Sequence, residues 1–239
     1  MILTVIQPSY FPNLETLSRL LIADVAVWAN SFLYTKHSTI HRTRIKTTNG
    51  VRWLTIPVTT KHRKYPAIVD VKIAPTQSWK AKHLKSLDLN YRNSPYYEYW
   101  EKDIQQLLMK DWIELDLLLY ETTRFALECL RIKPRIIPGS QLAVVPTRSE
   151  RVLTWLEQCN CNTYLVQKKD LELINHQMIE KQGARLLVHT FEHPIYHQLF
   201  DGFEKNLSAL DLLFNEGGTA KSILASSIRK EDHVEFQTR

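Results

Sequence analysis

The stretch that most constrains this chain is its opening. Ile2 to Ile6 is a short apolar run rich in β-branched residues, the pattern of a strand buried on both faces. Gln7-Pro8 ends it, because proline lacks the N–H that a ladder needs and biases the preceding residue toward extended geometry. Leu14, Leu17, Leu20 and Leu21 then recur at helical spacing, and residues 25–28 read as a second strand. A buried strand, a proline-containing loop, a helix and another strand make a β–α–β start. Gln7 to Pro12 therefore leave the C-terminal end of the first strand, the edge where open α/β sheets bind ligands.

Residues 30–45 alternate loosely, Asn49-Gly50 signals a turn, and residues 52–58 read as a return strand, so a β-hairpin is expected. On it, Arg42, Arg44 and Lys46 share one face at period two. Residues 59–66 form a basic polar loop, a candidate lid. Residues 68–74 read as a strand, and Ser78 is placed to cap a helix that starts near Trp79. Two more helices are expected over 96–109 and 112–130, followed by a proline-rich connector over 134–146. Thr147 and Glu150 form a capping box opening a helix to Cys159. A strand (163–166), a helix (171–181) and a strand (185–191) complete the alternation. The expected fold is α/β with a mainly parallel sheet, one domain over 1–228 and a helical insertion over about 79–131. Residues 229–239 lack an apolar period and are expected to fray.

The 239 residues are 44% hydrophobic, enough for a real core, and no apolar run approaches a membrane span. The start lacks a basic leader and a small-residue cleavage site, so a cytoplasmic location is expected. Cys129, Cys159 and Cys161 form no zinc or disulfide framework and read as small apolar residues. Net charge is +6, and its placement matters more than its size. Residues 25–69 contain no Asp or Glu but hold Lys36, Arg42, Arg44, Lys46, Arg52, Lys61, Arg63 and Lys64. Two readings fit: a solvated basic face, or an anion-binding surface over part of it.

On the second reading, Arg42 and Arg44 offer planar forks for phosphate or carboxylate, with Lys36 and Lys46 as point charges. Gln7 and Tyr10 sit where a polar substrate would be oriented, or else cap backbone and fill the core. His197 and Asp211, with Tyr10, are the acid–base candidates, and Tyr196 and Gln198 flank them. Ser208 and Asp211 also fit the N-cap and third position of a helix. The pairs His37/His41, His189/His193 and His193/His197 are four apart but match no ligand signature, so no metal site is expected. No motif specifies a cofactor.

Three segments, in order and at suitable spacing, carry a family resemblance. They are Gln7-Pro-Ser-Tyr-Phe-Pro12; Tyr34-x-Lys36 with His41-Arg-Thr-Arg-Ile-Lys46 and Trp53-Leu-Thr-Ile-Pro-Val58; and Tyr196-His-Gln-x-Phe200 with Asn206 to Gly217. The chain resembles the WbqC-like protein family, named for a protein of O-antigen gene clusters, and departs from its usual pattern at Asn13, Leu14 and Glu15. The resemblance implies an enzyme-like role on small or sugar-containing substrates, with Tyr34 and Asn215 added to the binding candidates. The opening is also similar to that of nucleotidyltransferase-like domains. Its loop has neither histidine nor glycine, which excludes adenylyl transfer through an H-x-G-H motif.

The leading expectation is a transferase acting on an anionic, nucleotide-activated small molecule in surface-polysaccharide or natural-product biosynthesis. A nucleic-acid-binding module, using Tyr34, Trp53 and Tyr65 between cations, is the alternative, with nucleic acid and membrane the less expected partners. A non-catalytic scaffold of a biosynthetic complex is the third.

Overall fold

The computed structural model describes residues 1–60, 65–76 and 78–228. Five strands build one all-parallel sheet: β1 (Ile2–Ile6), β2 (Val25–Trp28), β7 (Arg135–Pro138), β8 (Thr163–Gln167) and β9 (Arg185–His189). Their spatial order is β7-β2-β1-β8-β9. The chain thus builds outward from β1 in one direction, then crosses back to lay β8 and β9 on its other side. That reversal places a switch point between β1 and β8.

The strands feed two cores by alternation. Val25 and Val27 face one cluster, with Leu3, Val166 and Leu186; Ala26 and Trp28 face the other, with Ile6. Helix α1 (Leu14–Ile22) buries Leu14, Leu17 and Leu20 against the Trp28 side. Helices α5 (Arg148–Gln158) and α6 (His176–Lys181) cover the opposite face through Val152, Trp155 and Ile179. Apolar helices on both faces explain why the strands read as unbroken apolar runs.

Between β2 and β7 the chain makes a long excursion. It holds the hairpin β3 (Arg42–Thr47) with β4 (Gly50–Thr55), the short pair β5 (Val58–Thr59) with β6 (Lys72–Ile73), and helices α2 (Ser78–Tyr91), α3 (Tyr97–Met109) and α4 (Leu115–Cys129). The excursion packs on the Trp28 face through Leu115, Leu118 and Leu119. Helices α7 (Ala209–Glu216) and α8 (Ala220–Ser226) close the same side. Among the described residues, no helix is long and apolar enough to cross a membrane.

Several boundaries differ from expectation. The hairpin turn is centred on Thr48-Asn49, with Gly50 opening β4 at φ 91°, a conformation glycine takes at no steric cost. Pro57 splits the expected return strand into β4 and β5. Residues 68–70 form a 3-10 turn, so only Lys72–Ile73 of that segment pairs. Ser78 is the first residue of α2 rather than its cap. The proline-rich connector supplies the sheet's edge strand β7, which ends in Pro138. The expected helix over 171–181 is a 3-10 segment (Lys168–Leu173) followed by α6, because Asn175 caps a new helix start. Half of the candidate lid (61–64) and the tail 229–239 lie outside the described residues.

Candidate ligand-binding site at the sheet switch point

The pairing of β1 with β8 runs from Ile2↔Thr163 to Thr4↔Leu165 and stops there, whereas β1 stays paired with β2 as far as Ile6↔Trp28. Beyond Thr4 the two central strands part. A cavity of about 430 Å³ opens in that gap, lined by Val5 and Gln7 on one side and Leu165, Gln167 and Lys169 on the other.

The loop after β1 forms one wall and is tightly anchored. Tyr10 N–H donates to the Ile40 carbonyl at 3.0 Å, and Phe11 N–H to Thr122 Oγ1 at 3.3 Å. The Phe11 carbonyl accepts from Thr43 Oγ1 (3.0 Å) and Ser208 Oγ (3.2 Å). Phe11 itself sits at φ 39°, a conformation an aromatic residue adopts only under constraint from its surroundings. Asn13 then caps α1 by accepting from Thr16 N–H at 3.0 Å, which gives this departure from the family pattern a structural role.

Cations dominate the lining: Arg19, Arg42, Arg44, Arg148, Arg151 and Lys169, against the carboxylates of Glu15 and Asp170. Both carboxylates are engaged, Glu15 Oε1 by Gln167 Nε2 at 2.8 Å and Asp170 by Arg148 at 3.4 Å. Arg42 gives its fork to the Ser38 and His37 carbonyls (3.1 and 2.7 Å) and stacks over Trp53 at 4.3 Å. Arg44, opposite Trp53 in the hairpin register, has no hydrogen bond or ion pair from its guanidinium among the described residues. Arg151 lies 5.3 Å from the Phe32 ring, which stacks on Trp155.

Arg19 is the most unusual of these groups. It is only 7% exposed, donates from Nη1 to the Val5 carbonyl at 2.8 Å, and its buried Nε has no partner. Burial pushes its pKa down, partly countered by Glu15, Tyr164 and Asp170. A guanidinium held in the sheet cleft without a carboxylate partner retains strong affinity for an anion.

Of the residues expected from sequence, Gln7, Tyr10, Arg42 and Arg44 line this cavity. The others do not. The Tyr10 hydroxyl is paired with His83 Nδ1 at 3.0 Å, and burial pushes that imidazole down to about 4, keeping it neutral. Tyr34 pairs with His41 Nδ1 at 3.0 Å, away from the cavity, and Lys36 is exposed on the turn beyond. Lys46 shares the hairpin face of Arg42 and Arg44, but the hairpin's far end is covered by the segment before α7. There Lys46 is buried and its Nζ donates to the Phe200 and Gly202 carbonyls.

The third anchor builds core instead of cavity. Asp211 is fully buried and accepts from Tyr91 Oη (2.8 Å) and Tyr196 Oη (2.9 Å); burial pushes its pKa up to about 6. Ser208 is the N-cap of α7, accepting from Leu210 N–H, while Asp211 turns inward to the tyrosines, so no capping box forms. Gln198 bridges to the Glu204 backbone, Asn215 donates to the Asp211 carbonyl, and His197 is exposed. Tyr10, His197 and Asp211 therefore do not meet in one acid–base centre. Among the described residues, no three His, Cys, Asp or Glu side chains gather as metal ligands.

Sequence reasoning missed Arg19, Arg148, Arg151, Lys169, Glu15 and Gln167. Their common signal is position: Glu15 and Arg19 follow β1, Gln167 and Lys169 end or follow β8, and Arg148 and Arg151 open α5 after β7, places that come together only when the strand order is known.

The WbqC-like protein family model matches residues 7–223. The chain belongs to the WbqC-like protein family. The match includes the post-β1 loop, the hairpin and α7, so both the cavity wall and the buried Asp211 network fall within it. The uncharacterized protein Rv1507c of Mycobacterium tuberculosis (strain ATCC 25618 / H37Rv) is 25% identical over 226 residues, covering 92% of this chain and 96% of that protein. No solved structure matches the chain.

Proposed function

We propose that this chain is a transferase that binds an anionic, nucleotide-activated small molecule in the switch-point cavity. The observation that carries this reading is the lining charge among the described residues: six cationic side chains against two carboxylates, one of them held by Gln167 and the other by Arg148. A phosphate leaving group is a weak base and departs without a proton from the protein. Preorganised cations that neutralise it supply the main assistance such a transfer needs. Departure of the phosphate thus needs no general acid, and the proton of the acceptor passes to the released phosphate or to water. The family's association with surface-polysaccharide and natural-product biosynthesis makes a nucleotide-linked sugar the first candidate.

The test is a thermal-shift screen against nucleotides, nucleotide sugars, acyl and aminoacyl donors and short oligonucleotides, at two salt concentrations. A ligand well above its dissociation constant raises apparent stability by roughly 2–4 kcal/mol. The expected result is a salt-tolerant shift with one nucleotide class, reduced in Arg44→Ala. Shifts confined to oligonucleotides and abolished by salt would instead assign a nucleic-acid surface.

A further inference from the structure

We propose that the floor of this cavity is a ribose-reading subsite, in which Arg19 takes a phosphate and Glu15 accepts hydrogen bonds from the sugar hydroxyls. The inference rests on the nucleotide reading above and adds a specificity to it.

Glu15 and Arg19 stand four residues apart on α1, one helical turn, and both line the cavity. Glu preceding a cation at this spacing is the order that normally closes into an ion pair on a helix. Here no ion pair forms between them; each is held apart by a different element of the cleft. Gln167, the last residue of β8, fixes Glu15 Oε1 at 2.8 Å, and the Val5 carbonyl of β1 fixes Arg19 Nη1 at 2.8 Å. The parting of β1 from β8 therefore keeps an acceptor and a cation separated across the cavity floor.

The arrangement leaves definite valences for a ligand. Glu15 Oε2 has no hydrogen bond among the described residues, and Arg19 Nε is buried without an acceptor. Leaving a buried charged donor unsatisfied is costly, and an anion drawn to the outer Nη2 of the same guanidinium, which has no hydrogen bond among the described residues, offsets part of that cost. A ribose 5′-phosphate carries its two hydroxyls on one side of the ring and its phosphate on the exocyclic arm at the other, over a length comparable with one turn of helix. Acceptance by a carboxylate from a ribose diol is established chemistry at sheet-edge nucleotide sites. The hairpin residue Arg44 lines the same cavity with its guanidinium free of hydrogen bonds and ion pairs among the described residues, and would take a further phosphate of a diphosphate.

The test uses the full chain and isothermal titration with the four common ribonucleoside diphosphates, their 2′,3′-dideoxy counterparts and inorganic pyrophosphate. In the wild type the preferred ribonucleotide is expected to bind about tenfold more tightly than its dideoxy form, as befits hydrogen bonds to a charged acceptor. Glu15→Gln should bring that ratio near one while leaving pyrophosphate affinity unchanged. Arg19→Lys, which keeps the charge but removes the fork, should weaken pyrophosphate and nucleotide about tenfold with the sugar preference retained. Equal binding of ribo and dideoxy forms in the wild type, with pyrophosphate still bound, overturns the ribose subsite and leaves the anion site standing. A preference that persists in Glu15→Gln also overturns it. Failure of every nucleotide and of pyrophosphate to bind overturns both readings together.

Discussion

Two clusters of ionisable side chains occupy this molecule, and they are built on opposite terms. Around Asp211, each charged or hydroxyl group meets a partner from the chain itself: two tyrosine hydroxyls on the carboxylate, two carbonyls on Lys46, the Lys46 N–H on Tyr91. Around the switch point, the carboxylates are engaged while Arg44 and the Nε of Arg19 are left without acceptors. The first cluster is closed and belongs to the fold. The second leaves the Arg44 guanidinium open toward a cavity and a buried Arg19 charge beneath it, which is what a recognition site for an anion requires. Residue type alone does not separate them, since Lys46 and Arg44 lie two apart on one strand face.

The largest expected effect is on stability. Asp211→Ala removes the acceptor of two buried hydroxyls and should cost about 3 kcal/mol in chemical denaturation. Arg44→Ala should change stability by no more than about 0.5 kcal/mol, because the half-buried side chain makes no hydrogen bond or ion pair among the described residues. Equal losses in the two variants would erase the distinction.

Acidification sharpens it. The raised Asp211 pKa, from 3.8 to about 6, means the folded state holds that proton more tightly, so this group's contribution to stability falls as pH rises between those values. His83 and His189, both lowered by burial from 6.5 to about 4, act oppositely: the unfolded state takes up their protons first, and stability falls as pH drops through that window. Asp211→Asn removes the opposing contribution. Between pH 7 and 4 it should therefore lose more stability than the wild type, by roughly 2 kcal/mol. Parallel curves for the two proteins would show that Asp211 titrates normally.

A smaller effect is expected on ligand binding. Arg44→Ala should weaken the nucleotide found in the screen about tenfold, or roughly 1.4 kcal/mol, whereas Asp211→Asn leaves it unchanged. Smallest, and touching both clusters, is Ser208→Ala. Ser208 caps α7 and ties it to the Phe11 carbonyl, so its loss should cost about 1 kcal/mol of stability with a modest weakening of the ligand. An effect on binding without one on stability would detach the loop from the helix.

The parallel β–α–β start was legible because its determinants are local: β-branched runs, a proline stop and leucines at helical spacing. The anion site was half legible. Arg42 and Arg44 stood out because no acid lies near them in sequence, while Arg19 was hidden among the leucines of α1. Its exposure to a ligand depends on β1 and β8 parting, a contact between residues some 160 apart. Asp211 was ambiguous for a related reason. A helix-start motif and a buried acceptor look alike until Tyr91, 120 positions away, is seen to donate to it.

The cavity draws its walls from the post-β1 loop, the hairpin, α5, β8 and the segment at Asn206-Leu207. Ser208 N–H then donates to the Arg44 carbonyl and Ala209 N–H to that of Pro12, locking the segment onto both earlier walls. During synthesis from the N-terminus, the first wall emerges about 200 residues before the last. A complete cavity therefore requires the segment up to Ala209 to have docked. A ligand that binds here stabilises only molecules in which that late segment is in place.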